Sequence, residues 1–170
     1  MEMNTNLVKY GGTPLREDDL RGGRALLVHY QPKAQYRWDC GVAIGRYLAE
    51  LKEGRIIARR CDGCRRILVP PRMFCEECFR PTDAWEYVCD TGTVNTFCIS
   101  HIRWDTTRLE TPQVAAVIDL DGASKGIGIL HLLGEVTPQE VKMGMRVRAV
   151  WKPVRQREGS VTDIRFFKPY

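Results

Sequence analysis

Apolar residues at Ile44, Tyr47, Leu48 and Leu51 recur at helical spacing, with Asp39 placed as an N-cap and Gly54 just past the last of them. The pattern predicts one amphipathic helix over 40–53. It leads into Arg55–Arg60, a short β-prone run, and the alternation of Ala84-Trp85-Glu86-Tyr87-Val88 predicts a second strand beyond it. Five further β-prone runs follow, at Thr93–Ile102, Gln113–Leu120, Ile127–Leu133, Arg146–Trp151 and Ser160–Phe167. Among them the only helical signal is Thr137-Pro138-Gln139-Glu140, where Thr137 caps, Pro138 takes the first helical position and Glu140 reaches back. Five strands with one brief helix after the third is the order of a Greek-key barrel of the OB type. Residues 1–37 are broken by Gly11-Gly12-Thr13-Pro14, Gly22-Gly23 and Gln31-Pro32, leaving only the apolar patch Ala25-Leu26-Leu27-Val28. An extended arm is expected there, draped over its own domain or over a partner.

The chemistry begins with cysteine. Cys61-Asp-Gly-Cys64 and Cys75-Glu-Glu-Cys78 are two Cys-x-x-Cys pairs with ten residues between them. A two-residue gap lets both thiolates of a turn face one ion, and two such turns complete a tetrahedral shell with no position left for substrate. The predicted metal is a structural zinc. Disulfides would require an exported chain, a redox motif would not need a second pair, and a rubredoxin-like iron site uses the same four thiolates. The chain therefore divides into an arm (1–37), an amphipathic helix (38–54), a zinc ribbon (55–88) and an OB-fold barrel (89–170), a mainly β protein. Cys40, Cys89 and Cys98 read as small buried hydrophobes.

Composition narrows the class. At 170 residues and 44% hydrophobic, the chain can build one domain with a real core and a small appendage. Met1–Asn6 has no basic start and no apolar run follows it, so no signal peptide is expected; no stretch approaches the roughly eighteen apolar residues that span a bilayer. A cytoplasmic protein without a membrane partner is the expectation. The net charge of +5 invites nucleic acid. Yet Arg59, Arg60, Arg65, Arg66 and Arg72 crowd the ribbon, where four thiolates around a divalent ion carry a formal −2 that arginines would offset.

Helix, short four-cysteine ribbon, Val69-Pro70-Pro71-Arg72, Gly92-Thr93-Val94 opening a barrel and Lys142-Met143-Gly144-Met145-Arg146-Val147 before the fourth strand occur in that order. Over residues 40–170 this resembles the zinc-ribbon and OB-fold family long labelled a domain of unknown function (type 35), whose members accompany thiolases and thiolase-like acyl-coenzyme A (acyl-CoA) enzymes. Family knuckles often carry glycine after the second cysteine of each pair, where Arg65 and Phe79 stand here, so these turns are expected to be wider or strained. The resemblance implies a non-catalytic accessory subunit in a hetero-oligomer with a thiolase-fold protein: a thiolase, including those of aromatic acyl-CoA degradation, a thiolase-like aldolase, or a thiolase joined to hydroxymethylglutaryl-CoA synthase. It implies Arg65, Arg66 and Arg72 as contacts to the coenzyme A phosphates or an acidic acyl group, through the partner's substrate.

The residues themselves point to no catalytic group. His29, His101 and His131 are the only histidines; Cys98 and His101, three apart on a strand, fall on opposite faces. Asp119 and Asp121 read as a hairpin turn rather than a carboxylate pair. A reading from another class, a single-stranded nucleic-acid module, would need an aromatic platform drawn from Phe97, Trp104, Trp151, Phe166 and Phe167, of which only three positions could face a groove. A scaffold bridging two enzymes without touching substrate shares every fold feature with the accessory subunit.

Overall fold

The structure is a computed structural model, which describes residues 16–24, 35–103 and 105–170. The chain forms two compact units, Met1–Trp38 and Asp39–Tyr170. In the first, helix α1 (Glu17–Arg21) appears where the sequence predicts only broken chain. Three acids in its first turn face the positive helix end, and Asp19 caps it by accepting from the Arg16 backbone N–H at 3.1 Å. No residue of α1 is buried. Tyr36 and Trp38 stack with ring centroids 5.7 Å apart. The patch Ala25–Val28, the break at Gly11–Pro14 and the Gln31-Pro32 step lie outside the described residues, so the expectation of an arm there stays with the sequence.

The second unit opens with α2 (Gly41–Lys52). The N-cap is Cys40 instead of the predicted Asp39, which sits one residue earlier and accepts from the Gly41 N–H at 2.9 Å, and Gly54 closes the end at φ 77°. The buried stripe is Ala43, Tyr47 and Leu51, each four apart, while Ile44 is exposed. The packing face thus runs through Ala43, Tyr47 and Leu51, and Leu48 packs at its edge. Burial pushes the Tyr47 hydroxyl up to about 12.

Next comes a three-stranded antiparallel sheet in the order β2 (Ile67–Leu68), β1 (Ile56–Arg60), β5 (Ala84–Val88), with Arg59 opposite both Leu68 and Trp85. A two-stranded hairpin, β3 (Phe74–Cys75) with β4 (Arg80–Pro81), sits between them in sequence. The remaining strands close a barrel: β6 (Thr91–Ile102), β7 (Arg108–Leu120), β8 (Gly128–Leu133), β9 (Arg146–Trp151) and β10 (Ile164–Pro169), in the order β10-β8-β7-β6-β9. β8 and β10 run parallel and every other pair antiparallel, the OB arrangement that the order of strands predicts. Phe167, Ile118, Val94, Val147 and Ile164 fill the barrel and are continuous with Leu51, Ile56, Ile57 and Leu68 at the root of the ribbon, so one core serves the helix, the ribbon root and the barrel.

Two predicted elements take other forms. At Thr137–Glu140 the Thr137 N–H and hydroxyl donate to Glu140 at 3.0 and 2.7 Å, but the box closes a turn and no helix follows. Val141 is already committed to the core and Gly144, at φ 83°, turns the chain into β9, leaving no length for helical pairing. The last strand starts at Ile164 instead of Ser160 because Asp163, fully buried, accepts from the N–H groups of Glu158, Gly159 and Ser160 at 3.0, 2.8 and 3.0 Å and folds Val161–Asp163 into a 3-10 turn. Among the described residues no helix is long and apolar enough to cross a membrane.

Candidate metal centre and its surroundings

β1 ends on Arg60 and delivers Cys61 into the first knuckle, where its N–H donates to the Arg66 carbonyl at 2.9 Å; β3 delivers Cys75 into the second. The knuckles bring the sulfurs of Cys61, Cys64, Cys75 and Cys78 within 4.8 Å of one another, with Cys64 and Cys75 Sγ 3.6 Å apart. A tetrahedral shell with zinc–sulfur bonds of about 2.3 Å places sulfurs about 3.8 Å apart, so the cage has the right size. Cys61 and Cys75 are buried and Cys64 and Cys78 half-buried. A side chain on Gly63 would meet Cys78 Sγ at 3.2 Å, which keeps that corner small.

The donor set also suits a cation electrostatically. The backbone N–H groups of Cys64 and Gly63 hold the Cys61 thiol down to about 7, whereas neighbouring Cys64 first, and then burial, pushes Cys78 up to about 12. A divalent ion is the group that stabilises all four as thiolates. The four-cysteine cluster supports a structural zinc. Both residues after the second cysteine of a pair are left-handed, Arg65 at φ 64° and Phe79 at φ 49°. The strain expected from the missing glycines is present, at a cost of about 1 kcal/mol per residue.

Within the ribbon, several of the arginines are engaged by carboxylates. Arg66 pairs with Glu76 and Glu77 at 3.1 and 3.2 Å, Arg72 with Glu76 at 3.1 Å, and Arg60 with Asp62 and Glu86, both at 2.9 Å. Glu76 is held below the usual carboxylate range by its own backbone N–H and then by Arg72 and Arg66. Arg65 is exposed. The guanidinium that reaches Cys61 is Arg80, which also holds Asp83 at 2.9 Å while Asp83 accepts from the Asp62 N–H at 2.6 Å. Sequence reasoning missed Arg80; its place two residues after Cys78 was the available signal. Arg59 is buried, with Nε donating to Thr82 at 2.9 Å, and Arg46 and Arg59 each lie against the Trp85 ring, 4.4 and 4.7 Å from its centroid.

Other candidates separate. Cys40, Cys89 and Cys98 are exposed, contrary to the expected burial, because the helix entry, the turn after β5 and the outer face of β6 all lie at the surface. His101 is exposed, and His29 lies outside the described residues. Asp121 and Asp119 do not pair: Asp121 binds Arg146 and Thr91, while Asp119 accepts from Asn95 at 2.9 Å. Of the aromatics available for base stacking, Phe167 is fully buried, Phe97 and Trp151 pack against the core, and Trp104 lies outside the described residues.

Residues 48–84 match the family described as ChsH2, rubredoxin-like zinc ribbon domain, and residues 85–152 match ChsH2, C-terminal OB-fold domain. The chain belongs to this zinc-ribbon and OB-fold family. It is 29% identical over 117 residues to a DUF35 domain-containing scaffold protein of Methanocaldococcus jannaschii, covering 67% of this chain and 81% of that one. A "Probable enoyl-CoA hydratase alpha subunit" of Thermomonospora curvata is 26% identical over 102 residues, 59% of this chain but 30% of that protein. Among solved structures, a DUF35-family protein of unknown function from Sulfolobus solfataricus shares 26% identity at a TM-score of 0.54, covering 65% of this chain and 78% of that one. A chain of the Ltp2-ChsH2(DUF35) aldolase superposes at the same TM-score with 19% identity, over 82% of this chain and 98% of that one, a likeness of fold alone.

Proposed function

We propose that this chain is a non-catalytic, zinc-binding accessory subunit that docks on a thiolase-fold acyl-CoA enzyme in a hetero-oligomer. The observation that carries the reading is the ribbon followed directly by the barrel, each matched by a ChsH2 domain family. The scaffold name of the archaeal relative supports it. Cys61, Cys64, Cys75 and Cys78 are the proposed zinc ligands, and four thiolates leave the ion no open position for substrate. The partner supplies the carbon–carbon bond chemistry, and this chain supplies shape. Thiolysis of a 3-oxoacyl-CoA, of aromatic or other chain, is the reaction proposed for the complex. The fold likeness to a chain of the Ltp2-ChsH2(DUF35) aldolase favours a second reading, in which the partner is a thiolase-like aldolase.

Coenzyme A contact is assigned first to Arg65, exposed on the first knuckle, and then to Arg66 and Arg72, which would have to exchange Glu76 and Glu77 for phosphate. Co-expression with a thiolase-fold protein encoded nearby tests the assignment: a stable hetero-oligomer whose thiolytic or aldol activity exceeds that of the partner alone is expected. Thiolysis by this chain alone contradicts it. Coenzyme A titration of the complex carrying Arg65→Ala and Arg66→Ala tests the contacts, since undiminished binding removes both from the site.

A further inference from the structure

The barrel is closed unevenly. β8 pairs with β7 from Gly128 to Leu133, but its other edge meets β10 only at Phe167 opposite Leu133. Beside that free edge runs a groove of about 520 Å³, floored by Ala115, Leu130, Leu132 and Ile164 and walled by Val161. A smaller pocket sharing Leu130, His131, Val161 and Ile164 continues it toward Tyr47 of α2 and Pro70 of the ribbon. Leu130 is 72% exposed, Val161 55% and Leu132 40%, a contiguous apolar strip on the outside of a barrel, where an unpartnered strand would present polar residues.

The edge itself is stoppered by a side chain. The Leu132 N–H, which in a completed ladder would meet a neighbouring strand, donates to His131 Nδ1 at 2.9 Å, and His131 Nε2 sits 3.3 Å from the Val161 carbonyl across the gap. The imidazole thus stands in for a backbone. At the rim, Arg165 is exposed and Lys152 donates to Thr162 at 3.1 Å, with the buried Asp163 carboxylate 3.9 Å behind it. No carboxylate is among the residues lining the groove.

We propose that this groove receives an extended peptide segment of a partner protein, which adds to the free edge of β8 with apolar side chains at alternate positions and a carboxylate facing Arg165. An acyl chain would satisfy the apolar floor but not the backbone donors and acceptors of an open strand edge; a strand satisfies both. The exposed Arg165 cation selects the flanking acid. The proposal rests on the accessory-subunit reading for the existence of a protein partner and adds the surface that meets it.

The test is selection of a displayed library of random short peptides on the immobilised full chain, followed by affinity measurement of the winners. Alternating apolar residues beside Asp or Glu are expected, with binding weakened at least about tenfold, or about 1.4 kcal/mol, by Leu130→Arg and by Arg165→Glu. Both positions are exposed, so unchanged thermal melting will show that the fold survives. His131→Ala removes the stopper and should tighten the same peptides. No selected peptide, a basic consensus, or equal binding to Leu130→Arg overturns the proposal. So does saturable binding of sodium decanoate that Leu130→Arg abolishes, which gives the groove to a small amphipathic acid. Because the peptides need no thiolase, loss of the hetero-oligomer would sink the accessory reading and leave this result standing, and the converse failure would leave the accessory reading intact.

Discussion

The knuckles and the barrel solve the same stability problem by different means. In the two knuckles, Cys61–Arg66 and Arg72–Pro81, the strands are two residues long, Met73, Phe74 and Phe79 are exposed, and the buried side chains are Cys61 and Cys75. Such a segment cannot bury enough apolar surface to hold itself, and the thiolate cage supplies the missing cohesion. The barrel instead encloses Phe167, Ile118, Val94 and Val147. Between the two lies the ribbon root, where Ser124 of the barrel exchanges backbone and hydroxyl hydrogen bonds with Ile67 at 3.1 and 2.9 Å. The contrast teaches that the tip is conditional on metal while the root and barrel are conditional on packing, so the two can be broken one at a time.

The largest effect is expected at the cage. Cys61→Ser or Cys75→Ser should forfeit most of a metal-binding free energy of about 10–16 kcal/mol, abolish zinc retention in elemental analysis and unfold the tip, while far-ultraviolet circular dichroism retains the barrel signal. A metal-free chain with an ordered tip would contradict this. Phe167→Ala attacks the other half: a loss of about 3–5 kcal/mol in chemical denaturation is expected, with zinc content unchanged. Acid acts on the barrel in part through the Asp121–Arg146 ion pair. Arg146 first, then Thr91, holds the Asp121 carboxyl down to about 2, below its usual 3.8, so its stabilising contribution is present above the usual value and is lost as pH falls toward 2. Asp121→Asn should flatten the melting temperature across that window and leave neutral-pH metal content untouched; an unchanged acid slope would count against the pair. The smallest effect sharpens the knuckles: Arg65→Gly and Phe79→Gly should each stabilise the chain by about 0.5–1 kcal/mol, because glycine enters the left-handed region freely, partly offset by its greater unfolded-state entropy. Destabilisation by either would show that the side chain does more than strain the turn.

These contrasts also explain what the sequence disclosed. Cysteine spacing declared the cage because coordination geometry is local, and β-prone runs separated by turns declared the barrel because alternation is local too. Even the strain at Arg65 and Phe79 was readable from two absent glycines. What escaped was decided across the fold. Arg80 stands near Cys61, while acids of the second knuckle pair with Arg66 and Arg72. Thr137–Glu140 carries every signal of a helix start, yet the commitment of Val141 to the core overrides it. Ile44 obeys helical spacing but loses its place in the buried stripe to Ala43. Asp163 truncates the last strand by gathering three backbone N–H groups, a role that a lone Asp in a β-prone run does not announce.

Hydrogen–deuterium exchange on the full chain, before and after a zinc chelator, tests the central claim most directly. Backbone protection should vanish in the knuckles, Cys61–Arg66 and Arg72–Pro81, and persist at Ile67–Val69 and in β6 to β10, with one zinc released per chain. Protection that survives chelation at the tip, or a barrel that melts together with it, would contradict the account.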